Sequence, residues 1–159
     1  MPTGQPTKID ALNALVTLLG TIAAGSTYYT TVRQVKKFEP QALVTATDRS
    51  IYVLPESSDF ENEGLKTVTQ WQDSFRVRLY LVLKTNTDIV DELLRFERDV
   101  LTAMNTDLKD GTRLDGNCLR HWTENASYTL ADERDSVSYA ELAVRIDLRT
   151  PYNDLNTPV

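Results

Sequence analysis

The sequence holds one histidine and one cysteine, His121 and Cys118, and covalent or acid–base chemistry would have to start from them. Nucleophilic catalysis needs a thiol or hydroxyl beside a base that a third group orients. Three residues apart on a flat strand, Cys118 and His121 fall on opposite faces, out of each other's reach. Cys118 then reads as a small hydrophobe and His121 as a surface or sheet-edge residue. A metal site built on His121 could recruit Glu124 but needs further ligands, and no His or Cys cluster supplies them. Asp107, Asp110 and Asp115, with two Asp-Gly pairs, invite a calcium reading. Counted from Asn105, however, the fifth residue is Lys109 and the sixth is Asp110, where the EF-hand loop demands an oxygen ligand and then glycine. Helix-ending turn chemistry accounts for these residues better. No Walker-type or dinucleotide-binding glycine loop occurs, and Asn125-Ala126-Ser127 matches a glycosylation acceptor without a secretory signal to support it. The expectation is a protein with no catalytic residues, no metal and no cofactor.

The other polar groups that stand out would act by contact. Glu56, Asp59, Glu61 and Glu63 crowd an acidic stretch that reads as a loop. It could be a cation site, a solvated loop or the lining of a channel. Arg76, Arg78 and Tyr80 fall on the polar face of a strand, either as a wet sheet surface or as partners for acidic groups on a neighbouring copy. Arg and aromatic residues are favoured at interfaces, so Trp71 and Phe60 join these three as contact candidates.

The element that positions most of these groups is the run Trp71-x-Asp73-x-Phe75-x-Val77-x-Leu79-x-Leu81-x-Leu83. A period of two marks a half-buried strand. From residue 68 to 83 it would span roughly 50 Å at ~3.3 Å per residue, against the usual ~17–20 Å. Its polar first half, residues 68–74, is expected to leave the body as a projecting β-hairpin arm with residues 51–55, tipped by the acidic loop. Upstream, Thr7 and Asp10 have capping-box form, and Ile9, Leu12, Leu15, Val16, Leu19 and Ile22 give a helix over residues 9–24. Residues 28–38 read as a strand, and residues 51–54 as a short one stopped by Pro55. Asp88, Asp91 and Glu92 open a second helix whose apolar stripe is Val90, Leu93, Leu94, Val100, Leu101 and Met104, with Asp110-Gly111 as its end. Two more strands cover residues 118–128 and 137–149, joined by a charged hairpin loop with Asp132, Glu133 and Asp135. The order α-β-β-β-α-β-β implies an α+β, two-layer fold: a mainly antiparallel sheet with two helices packed on one face. Leu79, Leu81, Leu93, Leu101, Val144 and Ile146 should share its core.

At 159 residues and 41% hydrophobic content, the chain fits a single domain over residues 1–159. Residues 1–7 read as a flexible N-terminal arm and residues 151–159 as a flexible tail. One cysteine excludes an internal disulfide, no apolar run approaches a membrane span, and Met1-Pro2-Thr3-Gly4-Gln5-Pro6 lacks a signal-peptide pattern. A soluble protein made in the cytoplasm is expected. A net charge of -6 and a pI near 4.8 argue against wrapping nucleic acid, which needs clustered Lys and Arg.

Taken together, these pieces resemble the tail terminator (tail-completion) proteins of long-tailed bacteriophages. The likeness runs from Lys8 to about Tyr152. It lies in the opening helix with Ala14-Leu15-Val16-Thr17-Leu18, in Tyr29-Thr30-Thr31-Val32, and in Ile51-Tyr52-Val53-Leu54-Pro55-Glu56. The long alternating strand, the helix with Asp91-Glu92-Leu93-Leu94 and a closing hairpin complete it. A longer region between the first two strands departs from the family pattern. The resemblance implies a structural virion protein, not an enzyme, that forms a homo-hexameric ring. Such a ring caps the tail tube protein, ends its polymerisation and meets a head-side connector protein. DNA would pass its channel without specific binding, and no membrane is involved. Another neck or connector component is the neighbouring reading, and a small non-virion binding module the reading from a different class. Under the ring reading, the channel-lining candidates are Glu56, Asp59, Glu61, Glu63, Asp132, Glu133 and Asp135.

Overall fold

The alternating run becomes the centre of a sheet. A computed structural model describes residues 8–37, 48–61, 68–82, 88–107, 113–118, 120–130 and 137–151, with the backbone alone for 59–61, 68–71, 115 and 148–151. Its elements are α1 (Lys8–Gly20), β1 (Gln34–Lys36), β2 (Ser50–Glu61), β3 (Val68–Val82), α2 (Ile89–Thr106), β4 (Arg120–Thr129) and β5 (Val137–Pro151), with a 3-10 turn at Leu114–Gly116. The strands form one sheet in the order β1-β2-β3-β5-β4. Only β1 with β2 is parallel; the other pairings are antiparallel. The fold is α+β, with both helices against the face that carries Phe75, Val77, Leu79 and Leu81.

The core follows the period of two. On that face Phe75 lies opposite Val144, Val77 opposite Leu142 and Leu79 opposite Ala140. α1 adds Ala11, Leu15 and Leu19, and α2 adds Leu93, Phe96, Val100, Ala103 and Met104. The shared core holds for Leu79, Leu81, Leu93, Val144 and Ile146, but Leu101 is only half-buried and stands outside it. The expected stripe of α2 is rotated. Val90 and Leu94 are exposed, while Phe96 and the carboxylate of Asp99 take the buried side. The ring of Phe96 and a local use for Asp99 outweigh the two smaller aliphatics.

Asp99 also explains why residues 28–33 are not strand despite their Tyr, Thr and Val. Its two oxygens accept the backbone N–H groups of Tyr29 (3.1 Å) and Thr30 (2.6 Å), and Val32 donates to the carbonyl of Ile22 (3.0 Å). Backbone donors satisfied this way have no need of a ladder. β1 is left with three residues.

The expected stop at Pro55 is overturned, since β2 continues to Glu61 through an irregular register between Pro55 and Ser57. β1 pairs with β2 only over Ser50–Tyr52, so at Pro55 no described strand lies on the outer side of β2. A missing N–H is tolerated at an edge or bulge. The stretch read as an acidic loop is therefore strand as far as Glu61, and residues 62–64 lie outside the described residues. The arm is also redrawn. Ile51 and Val53 belong to the core, and Asp73 and Ser74 are buried. Asp73 can be buried because Lys8 at the start of α1 reaches its Oδ1 at 2.7 Å and the Ser58 hydroxyl donates to the same oxygen at 2.7 Å. β4 meets β5 no further than Arg120 opposite Asp147. Beyond that level the described sheet narrows to three strands, β2, β3 and β5, as far as Glu61 opposite Gln70, and then to β3 and β5 out to Val68 opposite Pro151. A three-stranded ribbon takes the place of the expected two-stranded arm.

Candidate functional site

The face of the sheet away from the helices carries the polar partners of the alternation. Arg76 and Arg78 on β3 project there, and the register sets Arg78 opposite Glu141 of β5. Arg78 Nε donates to Glu141 Oε2 at 2.6 Å, and Arg76 Nε lies 3.4 Å from Glu141 Oε1. Arg76 Nη2 donates to Glu56 Oε1 at 2.9 Å, while the Ser74 hydroxyl donates to Glu56 Oε2 at 3.0 Å. The hydrogen bonds from Arg76 and Ser74 hold the Glu56 carboxyl below the ordinary carboxylate range. Further along, Arg145 donates to Glu124 (3.1 Å) and Ser57 (3.5 Å), and Asp147 accepts from Arg120 and from Gln72 (3.2 Å). Cations and carboxylates thus alternate across β2, β3, β5 and β4. Each exposed pair adds little by itself, ~0–1 kcal/mol, and the network fixes register more than stability.

A shallow hollow on this face is lined by Glu56, Arg76, Asn125, Ser127, Glu141 and Ala143. Its lining is charged and polar, and it lies on the opposite side of the sheet from the apolar space between helices and strands that a small-ligand module would use. Beside the ladder sits an aromatic group. Tyr80, 1% exposed, meets Tyr52 edge-on with centroids 5.1 Å apart and lies 5.4 Å from Tyr139, over which the Arg78 guanidinium stacks at 5.5 Å. Gln34 donates to the Tyr52 hydroxyl at 3.3 Å.

The contact candidates therefore have different settings. Arg76 and Arg78 are half-buried and ion-paired within the chain, and Tyr80 is buried among tyrosines. Phe60 and Trp71 are cross-strand partners in the three-stranded ribbon. Of the acidic candidates, Glu56 sits in the charge ladder and Asp59 and Glu61 lie on β2, whereas Glu63, Asp132, Glu133 and Asp135 lie outside the described residues. Sequence reasoning missed Glu141, Arg145, Tyr139 and Asp147 as members of this surface. The alternation placed their kind on the polar side of β5, but only the β3–β5 register brings them to Arg76, Arg78 and Tyr80.

The histidine and cysteine have structural surroundings. Cys118 precedes β4 in an isolated bridge to Arg113 and is buried in the core. Burial, then the charge of Asp107, pushes its thiol up to about 12, which leaves almost no thiolate near neutrality. His121 lies in the edge strand β4, as the sheet-edge reading has it, but not at the surface: its side chain is 3% exposed, on the core face. His121 Nε2 lies 2.9 Å from Asp107 Oδ2, an oxygen that also accepts the backbone N–H of Leu114 at 2.7 Å. Leu114 holds φ +49°, a strained value for a residue with a Cβ, and the Asp107 carboxylate pins it there. Arg113 donates to the Asp107 carbonyl at 2.7 Å, next to the end of α2. Asp107 thus organises the turn after α2, Glu124 is bound to Arg145, and no group of three or more metal-type ligands exists among the described residues.

No protein-family model matches this sequence, and no curated protein matches it. Among solved structures it is similar to a chain from the virion of a native gene transfer agent particle, at TM-score 0.46 and 12% identity, covering 91% of this chain and 95% of that one. It is also similar to a sheath/tube terminator of an extracellular contractile injection system in the extended state, at TM-score 0.48 and 12% identity. That alignment covers 98% of this chain, which spans 61% of the other. Neither likeness decides function at these scores.

Proposed function

We propose that this chain is a structural, non-enzymatic virion protein. Copies of it form a ring at the head-proximal end of a phage tail, cap the tube, end its polymerisation and join tail to head. The observation that carries the reading is the three-stranded ribbon within the α-β-β-β-α-β-β order. β3 and β5 run 15 residues each, past the levels where Lys8 meets Asp73 and Asp107 meets His121. The five residues of β3 past the Asp73 level, 68–72, extend roughly 16 Å beyond the helix contacts. The family resemblance of the sequence supplies the partners: the tube protein on one side and a head-side connector on the other.

Electron microscopy of the purified chain, alone and mixed with polymerising tube protein, tests this. The expected result is rings, and tubes that are shorter and closed at one end by a ring. Tubes of unchanged length with both ends bare would refute it. A ring found on the connector and absent from the tube would move the chain to another neck position.

A further inference from the structure

The core-facing stripe of α1 and the core face of β3 both run out into a charge, and the two charges meet. Along α1 the buried residues Ala11, Leu15 and Leu19 follow Lys8 at spacings of three, four and four, so Lys8 lies on the same side of the helix. Along β3 the alternation that buries Leu79, Val77 and Phe75 reaches Asp73 next. The register places Ser58 of β2 opposite Asp73. Lys8 Nζ lies 2.7 Å from Asp73 Oδ1 and also donates to the Ser58 hydroxyl, which itself donates to Oδ1 at 2.7 Å. Asp73 Oδ2 is buried and has no hydrogen-bond partner among the described residues. Compensation for this carboxylate therefore comes from one ammonium and one hydroxyl, carried by two other elements. Lys8 is 44% exposed and Asp73 1%. The ammonium can return to water, whereas the carboxylate cannot without moving the strand that carries it.

Lys8 is the first residue of α1, and residues 68–72 of β3 lie beyond it in the ribbon. Helix starts fray easily, because their first amides lack an intrahelical partner, and so do the ends of strands. If the first turn of α1 frayed alone, a buried carboxylate would lose its cation. If the ribbon opened from its base alone, Asp73 would again part from Lys8. A buried charge stripped of its partner is strongly destabilising. We propose that the first turn of α1 is a strap across the base of the ribbon, and that strap and ribbon open together as one unit. A contact that bends the ribbon is then felt at the start of α1, and a contact that frees the start of α1 loosens the ribbon. Neither a second copy nor a tube enters this reading, so it stands or falls apart from the proposed function.

Native-state hydrogen exchange on the parent, Lys8→Met, Asp73→Asn and the double variant tests this. The strap probes are the amides of Leu12 and Asn13, the first to bond back along α1, and the ribbon probes are the amides of residues 70–74 of β3. Val77 and Leu79 serve as the core reference. In the parent, strap and ribbon probes should report the same opening equilibrium within about threefold. Lys8→Met leaves the carboxylate buried with the Ser58 hydroxyl alone. It should speed both sets by a common factor of about tenfold or more and leave the core probes within about twofold. Asp73→Asn removes the charge that needs a cation, so strap and ribbon should then exchange at different rates. Adding Lys8→Met to Asp73→Asn should change either set by less than about threefold. Acceleration of one set without the other overturns the proposal. So does equal acceleration of all probes, the core included, and so does a Lys8→Met effect as large with Asp73→Asn as without it. If Lys8→Met does not fold, the other two chains decide: sets that differ in the parent, or that stay matched in Asp73→Asn, overturn it.

Discussion

His121 is held in a setting that favours its neutral form. Burial pushes its pKa below the ordinary value of 6.5, and the hydrogen bond to Asp107, which works the other way, does not reverse this. The acceptor-only carboxylate of Asp107 assigns the remaining proton to Nε2. An unfolded chain binds a proton at His121 as the pH drops through 6.5, while the folded chain resists until a lower pH. The site's contribution to stability is therefore complete above pH 6.5 and declines as the pH falls toward the lowered folded value. The predicted outcome concerns the stability difference between the parent and His121→Gln, from urea unfolding at several pH values. It should be constant above about pH 7 and shift against the parent below pH 6.5. A difference that stays flat down to about pH 5 would show that the imidazole keeps its ordinary pKa. At this scale the sequence was legible for Cys118, whose burial matches the small hydrophobe it was read as. Asp107 was also legible as helix-ending turn chemistry, and it caps the end of α2, but the pairing of His121 with Asp107 was not legible. Their contact joins the end of a helix to the start of a strand across an intervening turn, and no local spacing encodes it.

Helix and strand types were readable because periods of two and 3.6 are consequences of local geometry. The N-terminus of α2 is an instance: Asp88 caps it, its Oδ1 accepting from Val90 N and Asp91 N at 3.2 Å each. Asp88→Ala should cost about 1 kcal/mol, read as a lower melting temperature with an unchanged denaturant slope. Leu81→Ala on the core face of β3 should cost more, ~2–5 kcal/mol. A Leu81→Ala chain as stable as the parent would mean that this face does not carry the core. What failed was the choice between candidate faces and the extent of strands. The rotation of α2 depends on Asp99 holding the 28–33 backbone, and the persistence of β2 past Pro55 depends on β1 ending at Lys36. Each is a tertiary fact about which neighbour is present. Strand register is of the same kind, which is why the charge ladder could not be assembled from alternation alone.

Under the proposed function, charge is the whole-molecule property that bears most on a ring through which DNA would pass. Each chain carries -6, and across the ~8 Å Debye length of physiological salt an acidic wall repels phosphate. The ladder on the outer sheet face narrows the search for that wall. Glu56 is engaged by Arg76 and Ser74, and Glu124 and Glu141 by Arg145, Arg78 and Arg76, so their charge is largely compensated in place. Asp59 and Glu61 lie on the far part of β2, and Glu63 lies outside the described residues. Under the proposed function, these carboxylates, with Asp132, Glu133 and Asp135, are the ones to face the channel. Glu61→Lys combined with Glu63→Lys should leave the fold intact and slow DNA ejection, measured as release of labelled genome from purified particles. Glu56→Lys should behave differently: it sets a third cation beside Arg76 and Arg78, lowers the melting temperature and has no specific effect on ejection. Normal ejection in the Glu61/Glu63 variant would assign those carboxylates to the outer rim, where their charge serves solubility and not passage.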